Sequence, residues 1–292
     1  MALDDASAAA ESSGWRPPRR SQPLPRITAL VGSARRFYKT AAMAAAAYAG
    51  DSPWFPLDYL LRLARVVVLL SLWRTVLGGS HTVSGISTDA VLTYTLISEV
   101  FADILNCRTD LIMALWEGSI TSFFLQPTRL VSQVVARTVG RWGFSLVFFS
   151  MPLLLASPAL GVNPWPASPR AAVAFGVSLV LAAVIGFALE YLFLALIVAL
   201  DQSPWGIEAL RGALAMVLSG AVVPLALMPW GLGDVLAWLP YASMASAPLR
   251  LYTATGAPLT LILLQVGWAI ILWAIALRAW QANREKLACY GG

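Results

Sequence analysis

Two pairs of charged residues stand inside apolar stretches of this sequence. Glu99 and Asp103 are four residues apart and Arg62 and Arg65 are three apart, so each pair shares one face of a helix. A bare carboxylate is costly in hydrocarbon, so each acid needs a cationic partner or a proton. If the two stretches are consecutive antiparallel spans, the acids and the arginines lie at one depth. We predict an ion-pair cluster there, which either staples two helices together or lines a polar path through the bundle.

No motif for covalent or nucleotide chemistry accompanies these charges. The sequence contains no G-x-x-x-x-G-K-[ST] phosphate loop, no G-x-S-x-G nucleophile motif and no H-E-x-x-H metal motif. Its one histidine, His81, falls in a predicted loop, and its two cysteines, Cys107 and Cys289, are far apart, which disfavours a metal site. We therefore expect no catalytic residue, metal or cofactor in this chain.

The composition identifies the solvent in which the helices lie. Of 292 residues, 59% are apolar and only 12% are charged, and the mean hydropathy is +0.72. Soluble domains carry about 25% charged residues, so there are too few here to cover an ordinary soluble surface. The composition excludes a soluble enzyme, a disordered chain and a disulfide scaffold, and it predicts an all-α integral membrane protein.

The apolar stretches predict six transmembrane helices within a domain over 53–288. Before it we expect a flexible basic tail over 1–26 and a cytoplasmic interfacial helix over 27–52, with a cleaved signal sequence as the less favoured interpretation of that region. Residues 230–257 are apolar but interrupted by Pro240 and Pro248, and we predict short re-entrant helices at the outer interface, with aromatic anchors. The six predicted spans cover residues 57–77, 89–107, 139–157, 171–200, 210–229 and 258–279.

The basic residues predict the orientation. The net charge is +5, and the arginines and lysines cluster at the two ends and in alternate loops rather than along one face. This positive-inside pattern places both termini in the cytoplasm and argues for anionic lipid, not nucleic acid, as the partner of the positive charge. Both cysteines fall on the same side, where free thiols are expected.

Short motifs in a fixed order carry a resemblance to a known family. The sequence resembles the membrane permease subunits of bacterial ABC-type exporters of the type-2 membrane-domain class, over about residues 30–292. Trp116 and Gln126 stand where that family usually has basic residues. The matching stretches are 72–79 (LWRTVLGG), 92–94 (LTY), 110–120 (DLIMALWEGSI), 125–127 (LQP), 219–225 (SGAVVPL), 239–242 (LPYA) and the final Gly-Gly.

The resemblance implies how such a chain works. Permeases of this class pair with a second permease, identical or a sister, and two separate ATPase subunits bind ATP and Mg²⁺ beneath them. The inner segment between the second and third spans is then the coupling segment, which contacts an ATPase. The residues expected to serve this contact are Asp110, Trp116, Glu117, Gly118, Ile120 and Pro127. The chain is expected in the bacterial plasma membrane, and its substrate is unknown.

Two other function classes remain open. A gradient-driven secondary transporter or a channel would use the intramembrane acids Glu99, Asp103 and Glu190 as proton or ion sites, although no inverted repeat is visible. A membrane enzyme is disfavoured by the missing nucleophile and base. Residues with a possible role in a pathway or a subunit interface are Glu190, Ser219, Gly220 and Pro224.

Overall fold

The computed structural model describes residues 26–50, 55–78, 82–83, 86–126, 129–200 and 203–289. The predicted tail up to residue 25 and Pro127 of the coupling segment lie outside them. The chain divides into two units, Met1–Tyr38 and Lys39–Gly292, and all packing described below is within the second. The helices are α1 (Arg26–Gly50), α2 (Phe55–Val76), α3 (Thr88–Val100), α4 (Ala102–Leu105), α5 (Leu111–Trp116), α6 (Ile120–Phe124), α7 (Leu130–Ser145), α8 (Met151–Ala156), α9 (Pro169–Leu200), α10 (Pro204–Leu218), α11 (Leu232–Leu236), α12 (Pro240–Met244), α13 (Ser246–Tyr252) and α14 (Pro258–Cys289).

Short elements join some of these helices. A π-helical turn, Leu146–Ser150, makes α7 and α8 one continuous rod. Strands β1 (Thr82–Val83) and β2 (Ile86–Ser87) form a small antiparallel ladder before α3. The Ser87 hydroxyl then caps α3 by accepting a hydrogen bond from the backbone of Ala90 at 3.2 Å.

Among the described residues, three helical stretches are long and apolar enough to cross a membrane, namely Leu130–Ala156, Pro169–Leu200 and Pro258–Asn283. The other predicted spans depart from a simple apolar helix for identifiable reasons. Helix α2 has 22 residues, but four of them are charged. Helix α3 has 13 residues and α10 has 15, which is short of the roughly 20 that span a bilayer.

The predicted second span is a buried central helix. Every residue from 91 to 98 in α3 is buried, which explains how a helix with several hydroxyl groups is accommodated. Each of those hydroxyls has an acceptor: Thr93 donates to the Asn163 carbonyl at 3.0 Å and Thr95 donates to Val91 one turn earlier at 2.9 Å. The helix is interrupted at Phe101 and resumes as α4, so the predicted stretch 89–107 is two helices.

The predicted fifth span, 210–229, is wrong as a continuous helix. Helix α10 starts six residues earlier and ends at Leu218, and Gly220 has a left-handed backbone with φ +71°. Pro224 therefore does not lie inside a helix but precedes a 3₁₀ turn, Leu225–Leu227. The sequence reason is local: glycine permits the left-handed turn, and a proline within a helix lacks the N–H that the helix needs.

The region predicted to hold short helices at the outer interface contains three short helices, α11, α12 and α13. They divide by burial. Trp230 and Trp238 are exposed, as expected for interfacial anchors, whereas Tyr241 and Tyr252 belong to the protein core. The aromatic residues of this region therefore serve two different purposes.

Helix α9 organises the core, packing along α14 and against α12 and α13. A fully buried glutamine joins these elements: Gln265 of α14 donates to the carbonyls of Ser178 at 3.1 Å and Ser243 at 2.8 Å, and it accepts from the Ser178 hydroxyl at 2.8 Å. Such a satisfied polar contact fixes helix register in an apolar interior.

Helix α1 has no buried side chain among those described, as expected of a helix lying on a surface. Its last turns pack on α7, where a Cβ at Gly140 would overlap the carbonyl of Ala41, so glycine allows the two backbones to touch. The ring of Tyr48 meets Phe144 edge-on, with 5.6 Å between centroids.

Candidate transport site and coupling segment

Arg62 of α2 reaches Asp103 of α4 through two hydrogen bonds, Nη1 to Oδ2 at 2.9 Å and Nη2 to Oδ1 at 3.2 Å. Asp103 also accepts from the Ser145 hydroxyl of α7. The same guanidinium lies 3.4 Å from Asp58, one turn back on α2, and 4.7 Å from the ring centroid of Phe149. A bidentate arginine–carboxylate pair with a third donor ties three segments together.

The second predicted pair lies alongside it. Arg65 Nη2 is 3.0 Å from Glu99 Oε1, with the glutamate side chain only 8% exposed and the arginine 56% exposed. The structure thus brings together all four residues singled out from the spacing, as two pairs. Sequence reasoning missed Asp58 and Ser145, although Asp58 is four residues before Arg62 and could have been found by the same rule.

These pairs line a cavity of about 850 Å³, within the size range of small-molecule pockets. Its lining contains both charged and apolar side chains, and it includes Ser219 and Ala221, where α10 ends. The charged lining residues are Asp58, Arg62, Arg65, Glu99, Asp103, Arg108 and Arg141. The apolar ones include Leu61, Val66, Leu153, Met216, Val222 and Met244.

Neighbouring helices donate hydrogen bonds to the backbone carbonyls at the end of α10. The Tyr94 hydroxyl donates to the Gly220 carbonyl at 2.7 Å, and the Ser98 hydroxyl donates to the Ala221 carbonyl at 2.8 Å. The Ser246 backbone donates to the Ser219 carbonyl at 3.1 Å. Where a helix stops inside a low-dielectric bundle, the backbone carbonyls at its end need donors from other segments. Here two hydroxyls of α3 donate to the carbonyls just past the end of α10. This explains why the polar α3 adjoins the break.

Glu190 is not part of the cavity wall. It lies in α9, only 2% exposed, with Oε1 2.9 Å from Nη2 of Arg211, which is itself 3% exposed. Its other oxygen accepts from the Thr109 backbone at 2.8 Å and the Thr109 hydroxyl at 2.7 Å. The sequence singled out Glu190 but not its arginine, because the two are 21 positions apart on different helices and share no periodicity.

The predicted coupling segment is a pair of short helices, α5 and α6. Leu111, Leu115 and Ile120 are buried, so the segment is packed onto the bundle, while Trp116 and Glu117 are exposed. Gly118 has φ +69°, a left-handed conformation that favours glycine and turns the chain between the two helices. Asp110, just before α5, pairs with Arg141 of α7.

The start of α10 meets the coupling segment at a pair of tryptophans. Trp205, at the start of α10, lies edge-on to Trp116 with 6.5 Å between ring centroids. Each tryptophan is 57% exposed. Sequence reasoning missed this tryptophan contact because it joins positions 89 residues apart.

A family model described as ABC-2 family transporter protein matches residues 63–291. The chain belongs to the ABC-2 transporter family. It is therefore a membrane transport component and not itself a catalyst. The family match confirms the resemblance carried by the sequence motifs. The match covers the coupling segment, the α10 break and all of the ion-pair cluster except Arg62, which it misses by one position. No curated protein and no solved structure matches the chain.

Proposed function

We propose that this ABC-2 permease is the membrane subunit of an ATP-driven exporter in the bacterial plasma membrane. It works with two separate ATPase subunits and with a second permease, identical or a sister. The observation that carries the proposal is the family match over 63–291, which spans nearly the whole transmembrane part. The topology proposed is six spans with both termini in the cytoplasm, formed by α2, by α3 with α4, by α7 with α8, and by α9, α10 and α14.

The paired tryptophans support an ATPase contact on the inner face. Trp116 and Trp205 come from two different stretches of the chain, and each remains 57% exposed although they touch. Met113 of α5 and Leu125, just after α6, are further exposed apolar residues of the coupling segment. Apolar groups clustered on a surface mark an interaction site, and tryptophan is the residue type most enriched at binding hot spots.

The mixed wall of the cavity supports a role in taking up the transported molecule. A ligand entering it meets both paired charges and aliphatic side chains such as Val66 and Met216. This lining suits an amphipathic substrate with a polar head. The proposed pathway therefore runs past the ion pairs toward the α10 break at Ser219.

Truncation of the tryptophan pair tests the function. Trp116→Ala and Trp205→Ala should each weaken ATPase association by about 2 kcal/mol, roughly 30-fold, if they are interfacial hot spots. The measurement is co-purification of the permease with the ABC ATPase subunit that associates with the parent, followed by titration of the purified parts. Trp230→Ala is the matched control, because this tryptophan is 92% exposed and lies in the region predicted at the outer face.

Unchanged ATPase binding by both tryptophan variants would contradict the assigned contact. The gradient-driven alternative has its own signature: efflux of a fluorescent amphipathic dye would survive ATP depletion and stop with an uncoupler. That result would overturn the ATP-driven mechanism.

A further inference from the structure

Residues 107–110, the connector, lead from α4 to α5, the first helix of the coupling segment, and side chains of α9 and α10 bind them. Glu190 of α9 accepts both the backbone N–H and the hydroxyl of Thr109. Arg211 of α10 donates to the carbonyl of Cys107. Packing here leaves no slack, because a Cβ added at Gly186 of α9 would overlap the Cys107 side chain.

Arg211 links the contacts that α9 and α10 make with the connector. Its guanidinium pairs with Glu190 at 2.9 Å, donates to Glu208 at 3.5 Å and donates to the Cys107 carbonyl. A guanidinium is a rigid, planar fork of N–H donors, so this one side chain holds three oxygens at once, two by hydrogen bonds and Glu190 Oε1 by charge pairing. Because Arg211 and Glu190 are almost fully buried, neither can exchange its partner for water without a large penalty.

A third helix, α7, binds the same four residues. Arg141 of α7 pairs with Asp110 and donates to the Arg108 carbonyl at 3.1 Å. Arg108 in turn lies 3.4 Å from Glu208 of α10. The four-residue connector thus makes polar contacts with α7, α9 and α10 directly before the chain enters α5, the first helix of the coupling segment.

Helix α10 carries this connection to the cavity. From Arg211 the helix continues without interruption to Ala215 and Met216, which line the cavity, and to its end beside Ser219. Eight residues at ~1.5 Å each place Ser219 about 12 Å from Arg211 along the axis. If the connector moves and takes Arg211 with it, α10 moves as well, and so do the residues of α10 that line the cavity.

We propose that Arg211 is the positioning residue that transmits movement of the coupling segment to α10 and so to the cavity. The inference rests on the proposed function, since it assumes that an ATPase moves that segment. It assigns to Arg211 a role that neither the family match nor the sequence motifs contain. The role is mechanical: Arg211 contacts the connector and α9, and it does not line the cavity.

The test measures the accessibility of the cavity wall in the full complex. Met216, which is 68% exposed, is replaced by cysteine together with Cys289→Ser, and the fully buried Cys107 is kept. In inside-out vesicles containing permease and ATPase, the labelling rate by a membrane-impermeant maleimide is compared with and without a non-hydrolysable ATP analogue and Mg²⁺. We expect a nucleotide-dependent difference in the parent and its loss in Arg211→Met, with ATPase co-purification unchanged.

Two further variants keep the result interpretable. Thr109→Val removes one donor to Glu190 at nearly constant volume and should reduce the nucleotide-dependent difference, which decides the matter if Arg211→Met fails to assemble. Arg170→Gln alters an exposed arginine at the start of α9 and should retain the full difference. A full difference in Arg211→Met, or in Thr109→Val where Arg211→Met does not assemble, overturns the role of Arg211. No difference in the parent overturns the ATP-driven function itself.

Discussion

The left-handed turn that ends α10 makes a quantitative prediction about Gly220→Ala. An L-residue in the left-handed conformation costs about 1–2 kcal/mol. The added Cβ would also lie 2.6 Å from Leu225 Cγ and 3.3 Å from Ser246 Cβ. Leu225 and Ser246 are both buried and cannot swing away, so overpacking adds about 1–3 kcal/mol. We expect the free energy of unfolding to fall by about 2–5 kcal/mol.

Gly176→Ala provides the matched control with the same chemical change. Gly176 lies within α9, and an added Cβ there has no atom within 4 Å. Alanine in a helix interior is more stable than glycine by about 0.5–1 kcal/mol, so this variant should equal or exceed the parent. Unfolding by SDS in mixed micelles, followed by the fluorescence of the 12 tryptophans, measures both variants. If Gly220→Ala stays within about 0.5 kcal/mol of the parent, the range of an ordinary surface substitution, the assigned turn is wrong.

Two further predictions concern the polar contacts around the cavity. Tyr94→Phe should lower the free energy of unfolding by about 1 kcal/mol, because the Gly220 carbonyl loses its donor while the ring stays in place. The SDS unfolding titration measures this change in stability, and an unchanged unfolding midpoint would argue against the hydrogen bond from Tyr94 to the Gly220 carbonyl. A double-mutant cycle of Arg62→Gln and Asp103→Asn should give a coupling energy of about 0.5–2 kcal/mol, whereas strictly additive effects would show that the two side chains do not interact.

Some features of the candidate site could be predicted because they depend on local spacing and depth. Arg62 and Arg65 share a helical face, as Glu99 and Asp103 do, and a fixed rise per residue is enough to place both pairs at one level. Antiparallel neighbours joined by a short connection then meet. Nothing beyond the positions of the charges and the length of the apolar stretches was needed.

Other features depend on contacts that spacing does not encode. Arg211 looks like one more cytoplasmic arginine in the sequence, yet it is buried against Glu190 because α9 and α10 fold back on each other. The fifth span was predicted to be continuous because its residues are apolar, although Gly220 and Pro224 marked a break. Hydropathy reports how well a segment tolerates lipid and not whether its backbone is helical throughout. The break is stable only because Tyr94 and Ser98 are nearby, and their proximity is a property of the tertiary fold.

The helices that fail as simple spans are the ones that build the site. Long helices such as α9 and α14 are mostly apolar, and their backbone groups are satisfied within the helix, so they can face lipid or each other along most of their length. Helix α2 carries charges, α3 carries hydroxyls and α10 stops early, so each has polar groups that need partners in other segments. Their polar groups therefore assemble around one cavity, with α2 paired to α4 and α10 held by α3. Contacts of this kind can exchange partners, which lipid-facing contacts cannot. In this ABC-2 permease, we expect the parts that move during transport to lie beside the cavity, with the long apolar helices behind them.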